Sequence, residues 1–536
     1  MNIFYIKRAT HTWVAMASKF VITRLSLSLL VFGAATAQES SDAWFGQVIP
    51  DPSRSANPAP SQLERVQIEE LSLQISDGPG IDSALDGERI TQYMNDIIVI
   101  SQQSKASGDS LWGRIGGTQW ELMTAEYLAG KFREFGLSDV RIERMPRNPQ
   151  WWPTDWEVTL LADSAYGAGN SDISLHTAFP GAPSPSTPAD GIEAELIYVG
   201  AGTPADMLGR DVRGKIAVYH AIFKSGAYSY TGRGMADQLI KAGAVAAIAV
   251  HEIEENIQFY NRFAGSLAGP GFTVSGDDGV FLEDMIARSA SVKPLRARIK
   301  LATGPRDGLI TQNIYAMIPG QTDETVILTA HMDAYFDGAY DNATGLATLV
   351  ALANYFSSPD APTLRRNLLF IGTGGHHSGR PGTPYTDTGL QSVGTAYIVD
   401  NHQQLLDDTV LVLNIEHTAL TSVVTGLGGI IPTNIESPRH MAVSNRSPYL
   451  LEQFTEALDR YGISVPVLTN NFPGGDASNL LRGGVPIVNL ISAGFWYHSS
   501  GDIAANIPAA GLERAARMWA YFLSKVDTAS RAEIGE

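Results

Sequence analysis

Four apolar runs in the C-terminal half of the sequence each lead into residues that can bind a metal or carry a proton. Residues 326–330 run into His331-Met332-Asp333 and, at the entry to a helical pattern, Asp341-Asn342. Residues 367–371 run into Thr373-Gly374-Gly375-His376-His377. Residues 410–415 contain Asn414 and lead to Glu416-His417, and residues 485–491 precede Tyr497-His498 and Asp502. A single histidine at a strand end is usually a structural residue. Four successive strands that deliver His or carboxylate at the same end form a site, because open α/β sheets bind ligands outside the carboxyl ends of their strands. The sequence has no cysteine, so any metal must rest on His, Asp and Glu. Those donors suit zinc, and two ions can share one carboxylate. Asp341 opens a Gly-flanked turn into a helix and is placed to face two ions. Asp333, two residues beyond His331, reads as the partner that holds its imidazole tautomer.

The elements carrying these residues follow from hydrophobic pattern. Continuous apolar runs of strand length fit strands buried on both faces of a largely parallel sheet. Leu346, Leu349, Val350, Ala353 and Phe356 make one apolar helix face between the first two runs. The fold class is therefore α/β. Upstream, Leu122, Tyr127, Leu128, Phe132 and Phe135 fall at helical spacing before Gly136, and residues 140–145 read as a strand. Residues 166–190 show no clear element. Between 192 and 300 short strands (196–199, 215–219, 244–250) alternate with helical pattern, including 235–242.

Composition narrows the function classes. The 536 residues are 44% hydrophobic and 18% charged, an ordinary globular mixture. A net charge of −18 repels nucleic-acid phosphates and anionic lipid, so neither is an expected partner. Lys19 and Arg24 precede an apolar run, 25–35, that is too short for a stable membrane insertion and ends in Ala35-Thr36-Ala37. That is the layout of a secretory leader cleaved before Gln38. Met16 would give a more typical leader length than Met1. An exported protein without cysteine fits a bacterial periplasm or a secreted location. Residues 38–83, with Pro50, Pro52, Pro58 and Pro60, read as a flexible lead-in.

The order Asn313-Ile-Tyr-Ala-Met-Ile-Pro-Gly320, Ala330-His331-Met-Asp333, Asp341-Asn-Ala-Thr-Gly345, then Tyr497-His498 with Asp502, resembles the dinuclear zinc exopeptidases of metallopeptidase family 28. That family includes bacterial aminopeptidases and the glutamate carboxypeptidase type. Likewise, Asp211-Val-Arg-Gly-Lys-Ile-Ala-Val followed by a helix and Ala242-Gly-Ala-Val-Ala-Ala-Ile resembles the protease-associated domain, a β-rich insert that shapes substrate access. The resemblance implies a mostly parallel central sheet flanked by helices, with the insert at 192–300 between peptidase segments 84–191 and 301–536. It implies two zinc ions per chain, one on His331 and Glu416, the other on His377 and His498, with Asp341 bridging.

Two positions depart from the family pattern. Where the family carries Glu-Glu, a general base followed by a ligand, this sequence has His376-His377, and the usual third-strand Asp is Glu416. His376 then becomes the candidate proton acceptor, with a pKa at or below ~6.5 because nearby metal charge disfavours the imidazolium. Asp476 falls where the family has a substrate-facing loop, and either binds a substrate ammonium or caps a helix. Trp151-Trp-Pro-Thr-Asp-Trp156 reads as packing between insert and peptidase core, or as a substrate platform. The expected function is an exported zinc exopeptidase or amide hydrolase, aminopeptidase-like, acting on a peptide or small amide. The alternatives are a non-catalytic receptor-like protein on the same fold and a glutaminyl-cyclase-like acyltransferase.

Overall fold

The structure, a computed structural model, describes residues 43–47, 83–221, 234–251, 256–260, 263, 267–378, 392–426, 429–437, 439–443, 447–465, 467–469, 475–476, 478–492 and 494–535. The expected leader and nearly all of the lead-in lie outside them.

The four apolar runs form four parallel strands, Thr325–His331, Asn367–Thr373, Thr409–Ile415 and Ile487–Ser492. They lie in the order second, first, third, fourth across an eight-stranded sheet. Register aligns their carboxyl ends: His331 lies opposite Thr373, Thr329 opposite Asn414, and Asn414 opposite Asn489. One flank is completed by antiparallel Ile310–Ile318 and Ser138–Pro146, the other by Arg439–Val443 and Val467–Thr469.

Helix Thr344–Ser357 follows the first strand and packs on it, with Leu346, Leu349, Val350, Ala353 and Phe356 all buried. The Leu, Val and Phe side chains among them each contribute about 1.5–3 kcal/mol by leaving water. Helices Gly87–Ala106 and Ala509–Val526 cover its outer side. The first of these begins where the Asp86 carboxylate accepts the Arg89 N–H and buries Ile90, Met94, Ile97 and Ile98 at helical spacing. Among the described residues no helix is long and apolar enough to cross a membrane.

A second eight-stranded sheet takes up the chain between Ser138–Pro146 and Ile310–Ile318. It starts earlier than the boundary expected at 192. Gln150–Leu160 pairs with Arg296–Arg306 along ten positions, and two-residue strands at Ile173–Ser174 and Phe179–Pro180 close its edges within the stretch where no element was expected. Alternating burial of Val158, Leu160, Ala297, Ile299 and Leu301 places these strands over the same core as Ile216, Val218 and Ile248. A separate aromatic cluster links this sheet to the loop after His331. Trp156 lies edge-on to Phe179 at 5.0 Å, and Phe179 edge-on to Phe336 at 5.3 Å. The tryptophans thus pack between the two halves, as one of the two sequence readings held.

Candidate metal centre

His331 is the last residue of the first parallel strand and is fully buried. Its Nδ1 lies 3.0 Å from the main-chain oxygen of Asp333. A carbonyl only accepts, so Nδ1 carries the proton and Nε2 presents a lone pair. That lone pair points at Asp341 Oδ1, 3.2 Å away. His417 Nε2 approaches the same oxygen at 3.1 Å. The other oxygen, Oδ2, meets His377 Nε2 and His498 Nε2, each at 3.2 Å. Four imidazole nitrogens therefore converge in two pairs on the two oxygens of one carboxylate.

This donor set fits a pair of zinc ions. Zinc bonds of about 2.0–2.1 Å to N and O, in a tetrahedral arrangement, set neighbouring donors about 3.3 Å apart, close to the separations here. Among the described residues His331 Nε2, His377 Nε2 and Asp341 Oδ2 are buried atoms with no hydrogen bond, which is costly unless a cation satisfies them. The two pairs with Asp341 coincide with two clusters of metal-competent groups, His331/Asp341/His417 and Asp341/His377/His498. Burial opposes ionisation of Asp341, but His377, His331 and His417 hold its carboxyl well below the usual carboxylate range. Two of the imidazoles sit on left-handed backbone, His417 at φ 48° and His498 at φ 57°. Strain of that kind persists only where surrounding contacts enforce it.

Those contacts are explicit. Asp502 accepts the N–H of Tyr340 at 2.6 Å and of Asp341 at 3.0 Å, fixing the backbone on which the shared carboxylate stands. Burial, with the Asp341 charge, pushes Asp502 up to about 8 against those two hydrogen bonds. Buried Arg114 donates to the carbonyls of Met332, Asp337 and Gly338, and so pins the loop from His331 to Asp341. Asp333 meets His331 Nδ1 through its main-chain oxygen, with its carboxylate 3.9 Å from that nitrogen. Its carboxylate accepts the backbone N–H groups of His376 and His377 at 2.9 and 2.8 Å and lies 3.3 Å from His377 Nδ1. Burial works against its ionisation, yet His377, His331 and His376 hold it far below the usual range. Behind the same turn, Glu121 accepts from Gly117, Gly375, Thr311 and Gln312 in a buried pocket. Burial and the Asp333 charge push it up to about 8.

The third strand end departs most from expectation. Among the described residues Glu416 joins neither metal-competent cluster around Asp341; it accepts the backbone N–H of Asp476 at 2.8 Å, its carboxylate lying against Gly475. His417 takes the place beside Asp341, between the rings of Tyr340 and Tyr497. Asp476 is fully buried, bonded to Thr373 Oγ1 and 3.0 Å from His376 Nδ1. It is a partner of His376 and does not open toward a substrate ammonium. It also reverses the expected titration of His376. Burial alone would lower that group, but Asp476, Glu416 and Asp333 push it up to about 10. The His376 ring stacks on His331 at 4.2 Å.

Residues 313–523 match the model of Peptidase family M28. Carboxypeptidase Q of Xenopus laevis is 22% identical over 418 residues, covering 74% of this chain and 78% of that protein. Among solved structures, a zinc aminopeptidase from Bacillus subtilis aligns with TM-score 0.57 and 20% identity, over 84% of this chain and 98% of its own. A peptidase M28 precursor from Shewanella amazonensis aligns with TM-score 0.58 and 18% identity, over 83% and 96%. At these identities the structural likeness establishes the fold.

Proposed function

Because residues 313–523 belong to Peptidase family M28, and the chain is thereby a metallopeptidase, we propose that it is an exported exopeptidase working with two zinc ions. His331, His417 and Asp341 Oδ1 would hold one ion, and His377, His498 and Asp341 Oδ2 the other. The convergence of four imidazole nitrogens on one carboxylate carries this reading. His417 replaces Glu416 in the ligand set, and each ion gains two neutral nitrogens and half of a shared charge.

Zinc bound there would polarise the scissile carbonyl and acidify water. The protein's part is positioning and proton transfer. Asp333 and Glu121 hold the backbone of the turn that carries His376 and His377. Asp476 holds His376 by Nδ1 and leaves Nε2 to exchange a proton with the departing amine; raised to about 10 by its carboxylate neighbours, His376 would take up a proton as a base only when the charge of bound zinc lowers it. The Glu-to-His change thus replaces a lone carboxylate base by an Asp–His pair. An aminopeptidase-like choice of substrate agrees with the zinc aminopeptidase from Bacillus subtilis, and the leader pattern at 25–37 supports export.

Metal analysis combined with peptide hydrolysis tests the reading. Purified protein supplied with zinc should hold two ions per chain and cleave peptides with a free amino terminus faster than blocked ones. Trace zinc only, or equal rates on both, would overturn it. Mature protein recovered after export should begin at or near Gln38.

A further inference from the structure

The backbone at His498 is clasped by a short segment that the second sheet anchors. The Tyr260 N–H donates to the His498 carbonyl at 2.9 Å, and the Ser500 N–H donates to the Gln258 carbonyl at 2.9 Å. The Gln258 N–H closes the ladder on Ser500 Oγ at 2.9 Å. Phe259 pairs with Ser499 as an antiparallel bridge. The short strap bearing these groups is itself anchored in the second sheet, where Thr273 Oγ1 donates to the Phe259 carbonyl at 2.8 Å. Tyr260 stacks on Tyr335 at 4.0 Å, and Tyr335 stands edge-on to His498 at 5.0 Å and beside His377 at 5.2 Å.

Left-handed backbone at a histidine is unfavourable and needs external enforcement. At His498 the flanking carbonyl and the next two residues are held by this ladder. We propose that the strap at 257–260 is a positioning element for His498, so that the second sheet completes one half of the metal centre and leaves the other half to the peptidase sheet. Positioning partners of metal ligands typically govern affinity by 10–100-fold, on the order of what one hydrogen bond can orient. The proposal rests on His498 being a zinc ligand.

Titration of the metal-free full chain with zinc, followed by calorimetry, separates the two ideas. His498→Ala should leave one tight ion; if two tight ions remain, the ligand assignment fails. Tyr260→Pro removes the N–H donated to His498 and should weaken the same single ion by roughly 10–100-fold, with the other unchanged. Ser500→Ala, which deletes only the hydroxyl that receives the Gln258 N–H, should weaken that ion in the same direction by a smaller factor, and it decides the matter if the proline variant does not fold. Unchanged affinities in Tyr260→Pro and Ser500→Ala, or equal weakening of both ions, would overturn the proposal while leaving the ligand assignment standing.

Discussion

The two oxygens of Asp341 face imidazole pairs of unlike support. His331 ends one parallel strand and His417 lies two residues past Ile415, the end of its neighbour, so the sheet brings them close, with the His417 N–H held on Asn342 Oδ1. His377 and His498 stand on a turn and a loop, and are placed by groups far off in sequence: Asp333 for the first, the strap at 257–260 for the second. One half of the centre is thus a product of the sheet, and the other is a product of packing around it. A sheet-borne pair tolerates loss of outlying contacts; a loop-borne pair should not.

The largest test of this contrast removes what the pairs share. Asp341→Ala should abolish zinc binding in both halves and hydrolysis with it, measured as metal content and turnover. Next, His417→Ala should release one ion and keep the second, whereas Glu416→Gln should keep both. The opposite outcome, one ion lost on Glu416→Gln and none on His417→Ala, would return the ligand role to Glu416. His376→Ala should then lower kcat by roughly 10²–10⁴-fold with two ions retained; a loss below about tenfold would remove His376 from proton transfer.

The smallest effect is on stability. Glu121, raised to about 8 in the folded chain by burial and the Asp333 charge, has an ordinary value of 4.5 when unfolded. Folded chain therefore keeps its proton while unfolded chain sheds it, so this group's stabilising share is whole below 4.5 and is lost as pH climbs toward 8. Glu121→Gln should flatten the fall in melting temperature across that window and leave zinc content unchanged.

Much of this was legible in the residues. The four parallel strands were readable because strands buried on both faces need unbroken apolar runs, and His331, Asp341, His377 and His498 were readable because each sits at the end of, or just beyond, such a run. Helix Gly87–Ala106 was missed although Ile90, Met94, Ile97 and Ile98 carry its period. The choice between Glu416 and His417 was not readable. Past Ile415 the chain leaves the strand, and the left-handed turn at His417 decides which of two neighbouring side chains faces inward. The Asp476–His376 contact joins residues 100 apart through a loop with no local signature. The early start of the second sheet was hidden for a similar reason, since Gln150–Leu160 finds its partner strand only at Arg296–Arg306.

Arg114 sets a lower bound on the piece of this chain that can assemble the centre. It stands 218 to 224 residues ahead of the carbonyls it serves, and outside the 313–523 segment matched to the family. Excision of that segment would take the Arg114 guanidinium away from the carbonyls of Met332, Asp337 and Gly338, while the Ala343 N–H stays on Gly338. During synthesis the ribosome releases Arg114 well before the loop it will hold. His498 follows later still, so the cage is among the last features the growing chain can complete.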